Sequence, residues 1–148
     1  MSTHPHLRAY IAGLFIPSLV LPVMLFASFL VRSILQDPFP FERGLIFPLA
    51  FVPLLWGLWN LLWLCTHERT RLPISLHGAL LPLLLLPMGT CVATWLGILS
   101  LGNTGVTWFH NVFVPYAWIA PCYCAAIVGY YLIWKYVVGF LNRVLGIA

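Results

Sequence analysis

Residues 72–134 read LPISLHGALLPLLLLPMGTCVATWLGILSLGNTGVTWFHNVFVPYAWIAPCYCAAIVGYYLIW, 63 positions without one Asp, Glu, Lys or Arg. An uncharged apolar run of that length belongs in lipid, where a chain must satisfy its own N–H and C=O groups within helices. It is too long for one crossing, and the turn formers of Ser100-Leu-Gly-Asn-Thr-Gly105 interrupt it. The stretch therefore predicts two helices, 78–99 and 112–134.

Outward from there, two more uncharged gaps run from Ala9 to Val31 and from Gly44 to Thr66, 23 residues each. At 1.5 Å per residue such a gap reaches about 34 Å, enough for a hydrocarbon core of about 30 Å. Helices are expected over 10–31 and 44–65. The run that begins at Tyr10 is longer than a signal-peptide core and no small-x-small pattern follows it, so it reads as a mature span. Strict alternation of apolar and polar residues, the mark of a barrel strand, is absent. The expected fold is all-α: four proline-kinked transmembrane helices in an antiparallel bundle, forming a single transmembrane domain over 1–148.

Composition agrees. The chain is 62% hydrophobic and only 7% charged, against about 25% charged residues in soluble domains. Its net charge of +4 rests on seven scattered Lys and Arg. Single cations suit lipid headgroups, whereas a nucleic-acid surface needs them clustered. Arg8, Arg69, Arg71, Lys135 and Arg143 fall on one side of the expected topology and only Arg32 and Arg43 on the other. That bias places both ends in the cytoplasm and the protein in a plasma (inner) membrane as a multi-pass protein. Tyr10, Trp63, Trp108 and Trp134 lie near the expected span ends, where amphipathic rings favour the interface.

Gly-x3-Pro-x4-Pro occurs three times, as Gly13/Pro17/Pro22, Gly44/Pro48/Pro53 and Gly78/Pro82/Pro87, with a looser Asn111/Pro115/Pro121 in the fourth helix. Helix one maps on helix three with an offset of 65, and helix two on helix four with an offset of 67 at the first proline. A duplicated hairpin, 1–72 and 73–148, accounts for this; the plainer account is that membrane helices tolerate proline. Each interior proline frees the carbonyl four residues earlier, at Gly13, Gly44 and Gly78. Bent helices can open a pocket, or the glycines can let the helices pack closely; packing is the simpler expectation.

Trp56, Trp59, Asn60 and Trp63 share one face of the second helix at i, i+3, i+4 and i+7, and Tyr116, Tyr123 and Tyr130 share one face of the fourth. Trp56 and Tyr123 come to lie at similar depths, about 18 and 17 Å below the outer edge. If the two helices touch, their rings form facing ladders suited to a flat apolar ligand of the quinone, sterol, isoprenoid or pigment class. The plainer expectation is that these rings fill the bundle. Asn60 is the most informative member, because an amide within a span is costly unless it bridges helices or meets a freed carbonyl.

On the outer side, Asp37, Glu42 and His110 are the acid–base candidates, since a carboxylate beside an imidazole can move a proton. Loop carboxylates usually pair with neighbouring arginines such as Arg32 and Arg43, which is the plainer reading. His77 and His110 start helices on opposite sides and cannot share a metal or haem. Cys65, Cys91, Cys122 and Cys124 read as free, buried, inert thiols, with one contact between Cys91 and Cys122 open. Neither metal nor another cofactor is expected, apart from the apolar ligand.

Two families of similar size are excluded by residues. Four-helix disulfide-generating membrane enzymes need surface cysteine pairs, and trimeric glutathione-using membrane enzymes need charges within their helices; the chain has neither. The expected function is non-enzymatic: an accessory subunit or an apolar-ligand binder using the aromatic faces of helices two and four. A small oligomeric transporter or channel comes second and a membrane enzyme with an outer acid–base site third. The expected partners are the bilayer and a homo-oligomer or larger membrane complex.

Overall fold

Helices dominate a computed structural model of the chain, which describes residues 4–35, 47–109 and 111–147. In order these are α1 (Pro5–Leu35), α2 (Phe47–Ala50), α3 (Val52–Thr70), α4 (Ile74–Trp95), β1 (Leu99–Leu101), β2 (Gly105–Trp108), β3 (Val112–Pro115), α5 (Tyr116–Ile133), a π-helical turn (Trp134–Val138) and α6 (Gly139–Val144). They form two compact units, Met1–Arg71 with Phe140–Ala148, and Leu72–Gly139.

In the first unit α1 and α3 run antiparallel, with small residues at the contact. Ala9, Ala12, Gly13 and Pro17 are the buried positions of α1, a stripe at helical spacing, and they meet Trp56, Gly57, Asn60 and Trp63 of α3. A Cβ on Gly13 would stand 2.5 Å from the Trp56 carbonyl oxygen and 3.0 Å from Gly57 Cα, so only glycine allows the backbones this close. Pro5 opens α1, where a missing N–H costs nothing. α3 ends at Arg71, whose backbone is left-handed at φ 51° and whose N–H donates to the His67 carbonyl at 2.8 Å. Pro73 then prevents any continuation of that helix.

The second unit pairs α4 with α5 and joins them through an antiparallel three-stranded sheet in the order β1-β2-β3. Leu99, Ser100 and Leu101 face Trp108, Thr107 and Val106; Val106, Thr107 and Trp108 in turn face Val114, Phe113 and Val112. This sheet departs from the all-α expectation. Its strands are three or four residues long and are buried in a longer apolar run, so they leave no periodicity to detect. It also moves two helix boundaries. α4 stops at Trp95 and not at 99, because Gly97 takes φ +69° and closes a Schellman cap: Gly97 N–H donates to the Thr94 carbonyl at 3.0 Å and Ile98 N–H to that of Ala93 at 2.9 Å. The last helix starts at Tyr116 and not at 112, since Pro115 holds extended backbone before it. It then runs past Trp134 to Val144, because a single lysine on its surface does not stop a helix.

Among the described residues three helices are long and apolar enough to cross a membrane: Pro5–Ile34, Ile74–Trp95 and Tyr116–Val144. α3 has the length, at 19 residues, but its Trp, Asn and polar Thr66-His-Glu-Arg-Thr70 end lower its hydropathy. The expected second helix over 44–65 begins outside the described residues and is interrupted at Phe51, between α2 and α3. All three candidate spans turn most of their surface outward; the most apolar window of the first is 6% buried.

Candidate functional site

The amide of Asn60 organises the first unit. Its side chain is completely buried, as is that of Asn142. Asn60 Nδ2 donates to Asn142 Oδ1 at 2.9 Å, and Asn142 Nδ2 returns a bond to Asn60 Oδ1 at 3.1 Å. The second Asn60 N–H donates to the Ala9 carbonyl at 2.7 Å. Asn60 thus ties α3 to α1 and to α6, and both of its donors and its oxygen are engaged. The carbonyl it takes is one turn before the one that Pro17 frees. Arg8 adds a bond from its guanidinium to the Leu145 carbonyl at 3.0 Å. A second Schellman cap ends α6: Gly146, at φ +65°, donates to the Arg143 carbonyl at 3.0 Å and Ile147 to that of Asn142 at 2.8 Å.

Around this centre Trp56 and Trp63 are buried and Trp59 is half-buried. Trp63 stacks on His67 with ring centroids 4.8 Å apart. His67 Nδ1–H donates to the Leu64 carbonyl at 2.8 Å. The face of α3 that the spacing singled out is therefore the packing face of its own unit.

The tyrosine face of α5 lies in the second unit. Tyr116 is exposed, and its phenol donates to the Gly102 carbonyl at 2.9 Å. Tyr123 is half-buried and donates to the Pro82 carbonyl of α4 at 3.2 Å; Tyr130 is half-buried. Trp134 is the centre of this unit. It is fully buried, its ring occupies the place a Gly78 side chain would need, and it meets the His77 ring edge-on at 6.2 Å. Within their own units, Trp56 and Asn60 thus meet α1, Tyr116 bonds to the β1–β2 turn, and Tyr123 bonds to α4.

Several expectations change here. Trp63 and Trp134 are core residues, not interfacial rings, because Trp134 fills the notch that Gly78 leaves. Trp95 and Trp118 are the widely exposed indoles. All four cysteines are free, but exposed and not buried, since they sit on the outward faces of their helices. Asp37, Glu42 and His110 lie outside the described residues. Among the described residues no three His, Cys, Asp or Glu side chains gather as a metal site. Lys135 lies over the rings of Tyr131 and Tyr136, 5.8 and 5.2 Å from their centroids, a cation–π arrangement at an exposed surface.

Asn142 is the residue that sequence reasoning did not select, and Trp134 is one to which it gave a different place. Asn142 had a signal, a second amide in an apolar segment, but it follows Lys135 and so fell outside the uncharged stretches. Compared with known protein families, with curated proteins and with solved structures, the chain matches none.

Proposed function

We propose that the chain is a non-enzymatic, multi-pass integral membrane protein that works as a helix-packing subunit, assembling through its outward apolar faces with copies of itself or other membrane chains. The observation that carries this reading is the contrast between its inner and outer surfaces. The two fully buried amides, Asn60 and Asn142, are spent on each other and on Ala9, while the most apolar windows of the three candidate spans are only 6%, 22% and 17% buried. Monomeric soluble proteins do not leave such faces open.

In this reading α3 is the fourth crossing, completed by residues before Val52, and the bundle is antiparallel. The interior prolines at 17, 22, 82, 87 and 121 bend the spans. Five cations against two orient the chain with both ends on the cytoplasmic side of a plasma (inner) membrane. A second reading, binding of a quinone, sterol, isoprenoid or pigment, is favoured by the half-buried Tyr123 and Tyr130 of the second unit, rings neither sealed in a core nor fully open.

Extraction in a mild detergent, sizing by light scattering and mass spectrometry of protein and organic extract test both. The subunit reading expects a particle well above the 16.7 kDa of one chain with fixed stoichiometry. A monodisperse single-chain particle overturns it. A stoichiometric organic molecule, displaced by Tyr130→Ala while the fold persists, supports the second.

A further inference from the structure

The β1–β3 sheet joins two helices, α4 and α5, that are each long and apolar enough to cross a membrane, so it must lie at the membrane face where both end. A connection in water would be expected to carry charge. This one, from Leu96 to Pro115, has no Asp, Glu, Lys or Arg. The strand register sorts its side chains onto two faces. Leu99, Trp108 and Val112 stand side by side, as do Leu101, Val106 and Val114, and alternation puts both rows on the same face. That face is apolar at all six positions. Its centre, Val106, is covered within the unit, but two corners are open, with Leu101 57% and Val112 43% exposed. Ser100 and Thr107 take the other face, with Phe113 lying over Gly105. The polar tip Gly102-Asn103-Thr104 is exposed. Beside the sheet stand Trp95, 83% exposed, and Trp118, 68% exposed, one at the end of α4 and one at the start of α5. Indoles at that position favour the headgroup layer.

We propose that this meander is a lipid-docking surface: it lies in the headgroup layer of the bilayer, with Leu101 and Val112 against the upper acyl chains, Trp95 and Trp118 among the glycerol groups, and Asn103 in water. The occupant is the bilayer itself, because the open corners continue the outward apolar faces of α4 and α5 and lack any charge by which a soluble partner would be selected. The proposal rests on the membrane reading above and adds a depth and an orientation to it.

The test uses the full chain in phosphatidylcholine vesicles, with Cys65, Cys91, Cys122 and Cys124 changed to Ser. Spin labels are placed singly through Leu101→Cys, Val112→Cys, Asn103→Cys and, as a mid-span control on α1, Phe26→Cys. Oxygen, which concentrates in lipid, should relax the labels at 101, 112 and 26 more than a water-soluble nickel chelate does, with the order reversed at 103. If 101 and 112 behave like 103 while 26 stays lipid-exposed, the docking surface is wrong and the membrane reading stands. If 26 is also aqueous, both fall. Should the serine background fail to reconstitute, the chain with its native cysteines serves in vesicles brominated on the upper acyl carbons. Trp95→Phe and Trp118→Phe should each remove part of the quenched tryptophan emission, and an unchanged quenched fraction in both overturns the proposal.

Discussion

The two units hold a helix pair together in different ways. In the first, two backbones meet at Gly13 and Gly57, and a reciprocal amide pair closes the contact. In the second, a large ring does the joining: Trp134 fills the notch at Gly78, and Tyr123 adds one bond to the Pro82 carbonyl. The contrast teaches that the shared Gly-x3-Pro-x4-Pro spacing does not carry a shared packing register. Gly13 and Gly78 occupy equivalent places in the pattern, and both are points of close approach. The residue equivalent to Trp56 by the offset of 67 is Tyr123, yet Gly78 meets Trp134, whose equivalent in the first half is His67. Where apolar burial gives little drive between helices, as in lipid, small residues and a few polar bonds decide which faces meet.

Breaking the comparison most severely is the addition of one methyl group at the point of close approach in either unit. Gly13→Ala collides with backbone at Trp56 and Gly57, which cannot rotate away, and is expected to cost about 3 kcal/mol or more. Gly78→Ala meets the near end of the fully buried Trp134 side chain and should cost at least as much. Thermal unfolding of both variants in detergent checks this, and an unchanged midpoint in either would show that its close approach is not needed. Next comes Asn60→Leu, which strands the Asn142 amide and should cost about 1–2 kcal/mol. Asn60→Leu with Asn142→Leu should recover part of that loss, and a double-mutant cycle with zero coupling would show that the pair contributes no glue.

Smaller effects sharpen the second unit. Gly97→Ala forces a left-handed backbone on a residue with a Cβ, at about 1 kcal/mol. Hydrogen exchange at the Gly97 and Ile98 amides should quicken while the amides of α1 and α3 stay unchanged. Tyr123→Phe removes one bond between α4 and α5, worth about 0.5 kcal/mol in a membrane setting. Its loss should appear as faster exchange confined to residues 72–139, and slowing of that exchange would contradict the bond.

Much of the fold was legible because charge is expensive in apolar surroundings. Gaps between charged residues located α1, α4 and most of α5 to within a few residues. They failed where the signal was not charge. Gly97 and Pro115 end one helix and delay the next through backbone geometry, and the strands between them are too short for any period. The face of α3 was legible from its spacing, because indoles and an amide on one side of a helix must find partners. What they meet was not: Asn142 lies 82 residues further along, and no local pattern couples two positions so far apart.

By itself the sequence determined that long uncharged segments become helices, since a backbone in apolar surroundings can satisfy its hydrogen bonds no other way within one segment. Only the tertiary structure decided that Trp134 is a core residue and not an interfacial ring, that Asn60 pairs with Asn142, and that an apolar sheet joins the last two helices. Those outcomes depend on which surfaces come into contact, and contact between distant residues follows from shape and hydrogen-bond geometry in three dimensions, which spacing along a chain does not encode.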